Sequence, residues 1–145
     1  MAGVPFHYVD LRAFCYVTED EKRVESALRT FVPEAFEVER AASEGHHGDR
    51  ILVLSARVET ADEMRTVLDS LRELSDAEFE QLLGELEERV DDNCAFYLTF
   101  DKQAAFRGDV QFGDGVTFRA KVEAYPADPE TAVENARAYF QGLDR

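Results

Sequence analysis

Between Phe6 and Val17 the chain alternates with a period of two. Val9, Leu11, Ala13, Cys15 and Val17 share one parity, and Tyr8, Asp10, Arg12, Phe14 and Tyr16 share the other. Side chains of a strand point alternately to its two faces, so this run specifies a long, half-buried strand and excludes a helix. The second parity carries aromatic rings and an arginine, which a purely solvated face does not need. Any fold for this chain must therefore set one face of a sheet on a core and leave a second face to be accounted for.

Helical periodicity follows. Thr18 with Glu21 forms a capping-box pattern ahead of the stripe Val24, Ala27, Leu28 and Phe31, and Pro33 limits that helix. Two strand-like runs, Phe36 to Ser43 and Ile51 to Val58, come next and read as an antiparallel hairpin. Two more capping boxes, Thr60/Glu63 and Ser75/Glu78, open helices with stripes Met64, Val67, Leu68, Leu71 and Phe79, Leu82, Leu83, Leu86, Val90. Strand patterns return over Cys94–Phe100 and Val116–Tyr125, with Val110 and Phe112 as a short strand between them. A last helix runs from the N-cap Asp128 and Pro129 toward Gln141, stopped by Gly142. The order suits an α+β domain, with a mainly antiparallel β-sheet and helices packed on one face. At 145 residues one domain with one core is expected across the chain.

Charge constrains the setting. There are 31 acids against 16 Lys+Arg, a net of −15, and only Lys22, Lys102 and Lys121 are lysines. Such an excess in a foldable chain points to a halophilic protein of a salt-loaded cytoplasm, where the Debye length is about 3 Å at 1 M and acids barely repel. The signs are segregated. Residues 59–92 hold thirteen acids and three arginines, whereas Arg12, Arg40, Arg50, Arg57, Lys102, Arg107, Arg119 and Lys121 fall in strands and loops. The acidic helices are best read as a solvated exterior. No apolar run is long enough to span a bilayer, and Met1–Pro5 lacks a signal-peptide pattern, so a cytoplasmic location is expected. Cys15 and Cys94 sit in apolar strand contexts and are expected to be buried free thiols.

Two groups of residues could carry chemistry. Glu44-Gly45-His46-His47-Gly48-Asp49-Arg50 reads as a hairpin tip whose glycines permit positive φ. Arg119 and Lys121 have the parity opposite to Val116, Phe118 and Val122, so with Arg12 and the rings of Tyr8, Phe14, Tyr16 and Tyr125 they suit phosphate contact and base stacking. The competing reading packs those rings beneath helices and pairs the arginines with acids. His46 and His47 would diverge in extended chain, and no ligand set or cofactor motif accompanies them, so neither metal nor cofactor is expected.

The stretch Glu44–Ile51, preceded by Val17–Lys22 and followed by Phe96-Tyr-Leu-Thr-Phe-Asp-Lys-Gln-Ala-Ala105, resembles an archaeal family described as RNA-binding proteins and as predicted exosome subunits. The resemblance covers nearly the whole chain. It implies a fold similar to the ribosomal large-subunit protein that binds 5S rRNA, and a role with structured RNA and exosome-linked processing or decay. Asp49-Arg50 departs from the Asn, often followed by Pro, usual there. The residues expected to hold RNA are His46, His47, Arg50, Lys102, Gln103, Arg107, Arg12, Arg119 and Lys121. Two alternatives stay open: a protein-interaction module whose acidic helices dock a basic partner, and a small phosphodiesterase centred on His46 and His47. The oligomeric state is open as well, a homodimer included.

The charge argument makes a direct prediction. Raising KCl from low to molar concentration screens self-repulsion, so the melting temperature should climb. A KCl series of thermal melts checks this, and a flat or falling trend contradicts it.

Overall fold

The computed structural model describes residues 4–33, 35–44, 48 and 50–143. Among them the elements follow in the order β1 (Phe6–Cys15), α1 (Glu21–Arg29), β2 (Glu39–Glu44), β3 (Arg50–Val58), α2 (Ala61–Asp69), a 3-10 turn (Ser70–Glu73), α3 (Asp76–Gly84), α4 (Leu86–Arg89), β4 (Ala95–Asp101), α5 (Lys102–Phe106), β5 (Gly115–Val122) and α6 (Pro129–Gln141). The strands form one antiparallel sheet in the order β2-β3-β1-β5-β4, and the helices pack against it. The α+β architecture expected from the period switches is therefore the one adopted.

The alternation in β1 is used as far as Cys15, where the strand ends; Val17, expected on the core face, follows in the turn and is 67% exposed. Val9, Leu11, Ala13 and Cys15 are buried together with Leu54, Ala56 and Val58 of β3, Val116, Phe118, Ala120 and Val122 of β5, and Phe96, Leu98 and Phe100 of β4. Helices cover that side with Val24, Leu28, Val67, Leu68, Leu82, Leu86, Ala136 and Phe140. Phenylalanines knit the layers: Phe31 meets Phe100 at 4.8 Å between centroids, and Phe96 meets Phe140 at 5.3 Å. Cys15 and Cys94 are buried free thiols, as expected.

Several local expectations shift. The cap of α1 is Asp20, whose carboxylate accepts from the Lys22 N–H, and not Thr18. Residues 16–19 instead close a turn, with the Glu19 N–H donating to the Tyr16 carbonyl, so the helix starts later. The first strand of the hairpin begins at Glu39 and not at Phe36, because Phe36 is held in a turn by its N–H to the Pro33 carbonyl. The stripe from Phe79 to Val90 is split at Glu85 (φ −106°, ψ 8°) into α3 and α4. Cys94 has φ 62° and precedes its strand, and the last strand stops at Val122, short of Tyr125. Lys102 and Gln103 directly follow the end of β4 and open α5, a short helix capped by Asp101, which accepts from the Ala104 N–H. Gly113 lets this junction close: a Cβ there would lie 2.7 Å from the Asp101 Cβ.

Capping succeeds where it is purely local. Thr60 and Ser75 accept from the Glu63 and Glu78 N–H groups, and the Ser75 box is complete. Glu78 also accepts from the Phe112 N–H at 2.7 Å, linking α3 to the segment before β5. Burial works to raise the Glu78 carboxyl, but the Phe112 and Ser75 donors outweigh it and hold it below the usual carboxylate range. A depressed folded pKa gives stability present above the unfolded value and lost as pH falls through the folded one. Glu78→Gln should therefore melt lower than wild type at neutral pH, yet lose less on acidification from about pH 5 to 3, near and below the ordinary Glu value. Melts across that range check both signs.

Candidate nucleic-acid interface

Among the described residues no helix covers the second face of the sheet, and strand register decides what it presents. Asp10 of β1 is opposite Arg57 of β3 on one side and Arg119 of β5 on the other, and Arg119 is opposite Tyr97 of β4. A row Arg57–Asp10–Arg119–Tyr97 thus crosses four strands spaced about 4.8 Å apart. The next row is Ser55–Arg12–Thr117–Thr99, and Tyr8 lies opposite Lys121. Phe14 is 39% exposed and Tyr97 36%, so rings and cations share an open surface.

The cations differ in how they are engaged. Arg57 donates to both Asp10 oxygens, at 2.7 and 2.8 Å, and its guanidinium lies 4.1 Å from the Tyr8 ring centre. Those hydrogen bonds hold the Arg57 pKa above its ordinary value against the opposing effect of burial. The Asp10–Arg57 pair is internally neutralised, and Tyr8 is capped by it. Arg12 and Arg119 have no ion pair among the described residues, and the Nε of Arg119 is buried without a hydrogen-bond partner. Arg119 rests 5.8 Å from the Tyr97 ring centre. The Tyr97 hydroxyl donates to Asp91 at 3.1 Å. Burial works to raise the Asp91 carboxyl, but the Ala95 and Asn93 N–H donors, the Tyr97 hydroxyl and the charge of Arg119 win and keep it low. Lys121 donates to the Asn93 carbonyl. A cavity of about 360 Å³ opens among Asp10, Arg12, Phe14, Tyr97, Thr117 and Arg119.

Of the residues marked out by sequence, Arg12, Arg119 and Lys121 meet on this face. Lys102, Gln103 and Arg107 lie together elsewhere, on and after α5 where it packs against α1. Lys102 is committed within the fold: its ammonium donates to the Phe14 carbonyl at 3.0 Å and pairs with Glu19 at 2.7 Å, with the side chain 14% exposed. Gln103 and Arg107 are exposed. Arg50 opens β3 opposite Glu44, also exposed, while His46 and His47 lie outside the described residues. Tyr16 sits beside Lys102, and Tyr125 lies beyond the end of β5 at 86% exposure. Asp10 follows from the parity of β1 but is not among the residues expected to hold RNA, and Tyr97 and Thr117 belong to the face without having been singled out by sequence. The alternation of Tyr97 with buried Phe96 and Leu98 was the available signal. Among the described residues no group of three His, Cys, Asp or Glu could hold a metal ion, and no helix is long and apolar enough to cross a membrane.

A family model described as RNA binding matches residues 8–122, which runs from the third residue of β1 to the last residue of β5 and so takes in nearly the whole sheet. The chain belongs to this RNA-binding family. A relative carrying that description, the RNA-binding protein PAB1135 of Pyrococcus abyssi, is 36% identical over 99% of this chain and 100% of its own. An uncharacterized protein of Methanocaldococcus jannaschii, MJ0213, is 30% identical over 74% of this chain and 76% of its own. The solved structure of Mth689, a DUF54 protein from Methanothermobacter thermautotrophicus, superposes with a TM-score of 0.77 at 36% identity, covering 93% of this chain and 98% of that one.

The role of Lys102 can be checked without any ligand. Lys102→Met leaves the Glu19 carboxylate and the Phe14 carbonyl without their shared donor, so the protein should lose about 1.5–3 kcal/mol of stability, the range for hydrogen bonds to charged groups. Denaturant titration measures it, and an unchanged midpoint would mean that Lys102 does not help to hold the fold.

Proposed function

We propose that this protein is a non-catalytic RNA-binding protein that holds structured RNA against the uncovered face of its sheet. The observation that carries the reading is the pair Arg12 and Arg119, two guanidiniums without ion-pair partners among the described residues, set between the exposed rings of Phe14 and Tyr97. A guanidinium offers a planar fork of donors that matches phosphate oxygens and base acceptors. Family membership and the name of the Pyrococcus relative support RNA as the ligand. The acid-rich helical segment, residues 59–92, would meet the same polyanion unfavourably, so the sheet is the side that faces it. Function in a salty cytoplasm belongs to the same proposal, and so does a link to exosome processing or decay, which rests on the family resemblance.

The test replaces both unpaired cations. Arg12→Ala with Arg119→Ala should weaken binding of a fluorescein-labelled RNA hairpin at least tenfold. The dependence of log K on log[KCl] should flatten by about one for each phosphate that is no longer neutralised. Arg65→Ala, on α2 and paired with Asp62, should leave both quantities unchanged. If the folded double variant binds as wild type does, the RNA is held elsewhere.

A further inference from the structure

The cavity on the uncovered face is lined by chemistry that phosphate alone does not explain. It holds two guanidiniums, a hydroxyl and two rings, but also the carboxylate of Asp10. A carboxylate repels phosphate oxygens, whereas the edge of a nucleobase offers N–H donors beside carbonyl and ring-nitrogen acceptors. Asp10 keeps capacity for this: each oxygen accepts one bond from Arg57, and a carboxylate has about four acceptor positions. Arg119 contributes the complementary group, a guanidinium whose buried Nε has no partner. Tyr97 is fixed in place, its hydroxyl tied to Asp91 and Arg119 against its ring. At about 360 Å³ the cavity is at the small end of ligand sites, roughly 300–1,000 Å³, a size for a single base.

A base inside an A-form duplex cannot enter such a site. Its ring faces are covered by neighbours, and the major-groove edge is out of reach of side chains. The occupant has to be splayed out of a loop, a bulge or a single strand.

We propose that this cavity takes one unpaired RNA base. The base stacks on Tyr97, Phe14 closes the far side, Arg119 donates to an acceptor on the base edge, and Asp10 accepts from an edge N–H. Arg12, more exposed, takes the flanking phosphate. The inference rests on the RNA-binding reading above and adds the class of RNA: folds that display unpaired nucleotides, in preference to continuous duplex. It makes Tyr97 and Asp10 selectivity groups, while Arg12 supplies affinity that is indifferent to pairing.

The experiment uses two RNAs of equal length at one KCl concentration, a hairpin with a 2-aminopurine in its loop and a fully paired duplex. Wild type should bind the hairpin at least tenfold more tightly than the duplex, with a change in 2-aminopurine fluorescence. Tyr97→Leu should weaken hairpin binding roughly tenfold, as expected for loss of one base–aromatic stack, and leave duplex binding alone. Tyr97→Phe, which keeps the ring, should retain most of the preference. Should Tyr97→Leu not fold, Phe14→Leu, at a position 39% exposed, gives the same reading with a loss of threefold or more expected. Equal affinity for hairpin and duplex overturns the base site. So do folded Tyr97→Leu or Phe14→Leu proteins that bind as wild type does. If the arginine double variant is still impaired then, the RNA face survives without its base site. A wild type that binds neither RNA removes both.

Discussion

β1 is hydrogen-bonded along both edges, to β3 and to β5, and this double pairing controls everything on the open face. A slip of one residue against either neighbour would turn Val9, Leu11, Ala13 and Cys15 out of the core and bring Asp10 and Arg12 in. That exchange would expose four apolar side chains and bury a carboxylate and a guanidinium, so the register is held by penalties on both faces. Because β1 is locked, Arg57, Asp10 and Arg119 have no freedom to rearrange in sequence order across the sheet. The geometry of the candidate site is thus a by-product of core packing on the other side.

The Asp10–Arg57 pair shows how one contact can both occupy and prepare a surface. Exposed ion pairs contribute little to stability, about 0–1 kcal/mol. Here the pair sits in the middle of the sheet, and it removes one positive and one negative charge from a surface that would otherwise alternate in sign. Arg119, next to the pair in the same row, and Arg12, in the row beyond, are left without an ion pair among the described residues. Tyr8 is covered by the same arginine, which leaves Phe14 and Tyr97 as the accessible rings.

Elements set by short-range pattern were legible in the sequence. The alternation of β1, the Ser75/Glu78 box and the Asp128-Pro129 start of α6 need only residues within four positions of one another. What escaped depended on distant partners. Thr18 and Asp20 both carry capping side chains, and the choice between them involves Glu19, which is committed to Lys102 from 83 positions away. Lys102 itself looked like a free cation in sequence and is satisfied within the fold by that carboxylate and by a β1 carbonyl. On the site, Arg12, Arg119 and Lys121 followed from parity alone. Tyr97 did not, because a tyrosine on the outer parity of an apolar strand looks like solvated surface until the β4–β5 register sets it beside Arg119.

Segregated charge has a further consequence, for the way the molecule travels. Residues 59–92 concentrate negative charge in the helical layer, while the unmatched arginines lie on the opposite side of the sheet. Among the described residues the two sides of the sheet therefore differ in charge, and the difference acts as a dipole across it. In the field of a polyanion that dipole exerts a torque, turning the strands forward and the helices away during approach. In dilute salt the torque competes with repulsion of the whole anionic chain, so encounters would be few but well oriented. At molar salt both fade within a few ångströms, and collisions become frequent and random in orientation. The same charge pattern thus trades the number of encounters against their alignment, with ionic strength setting the balance.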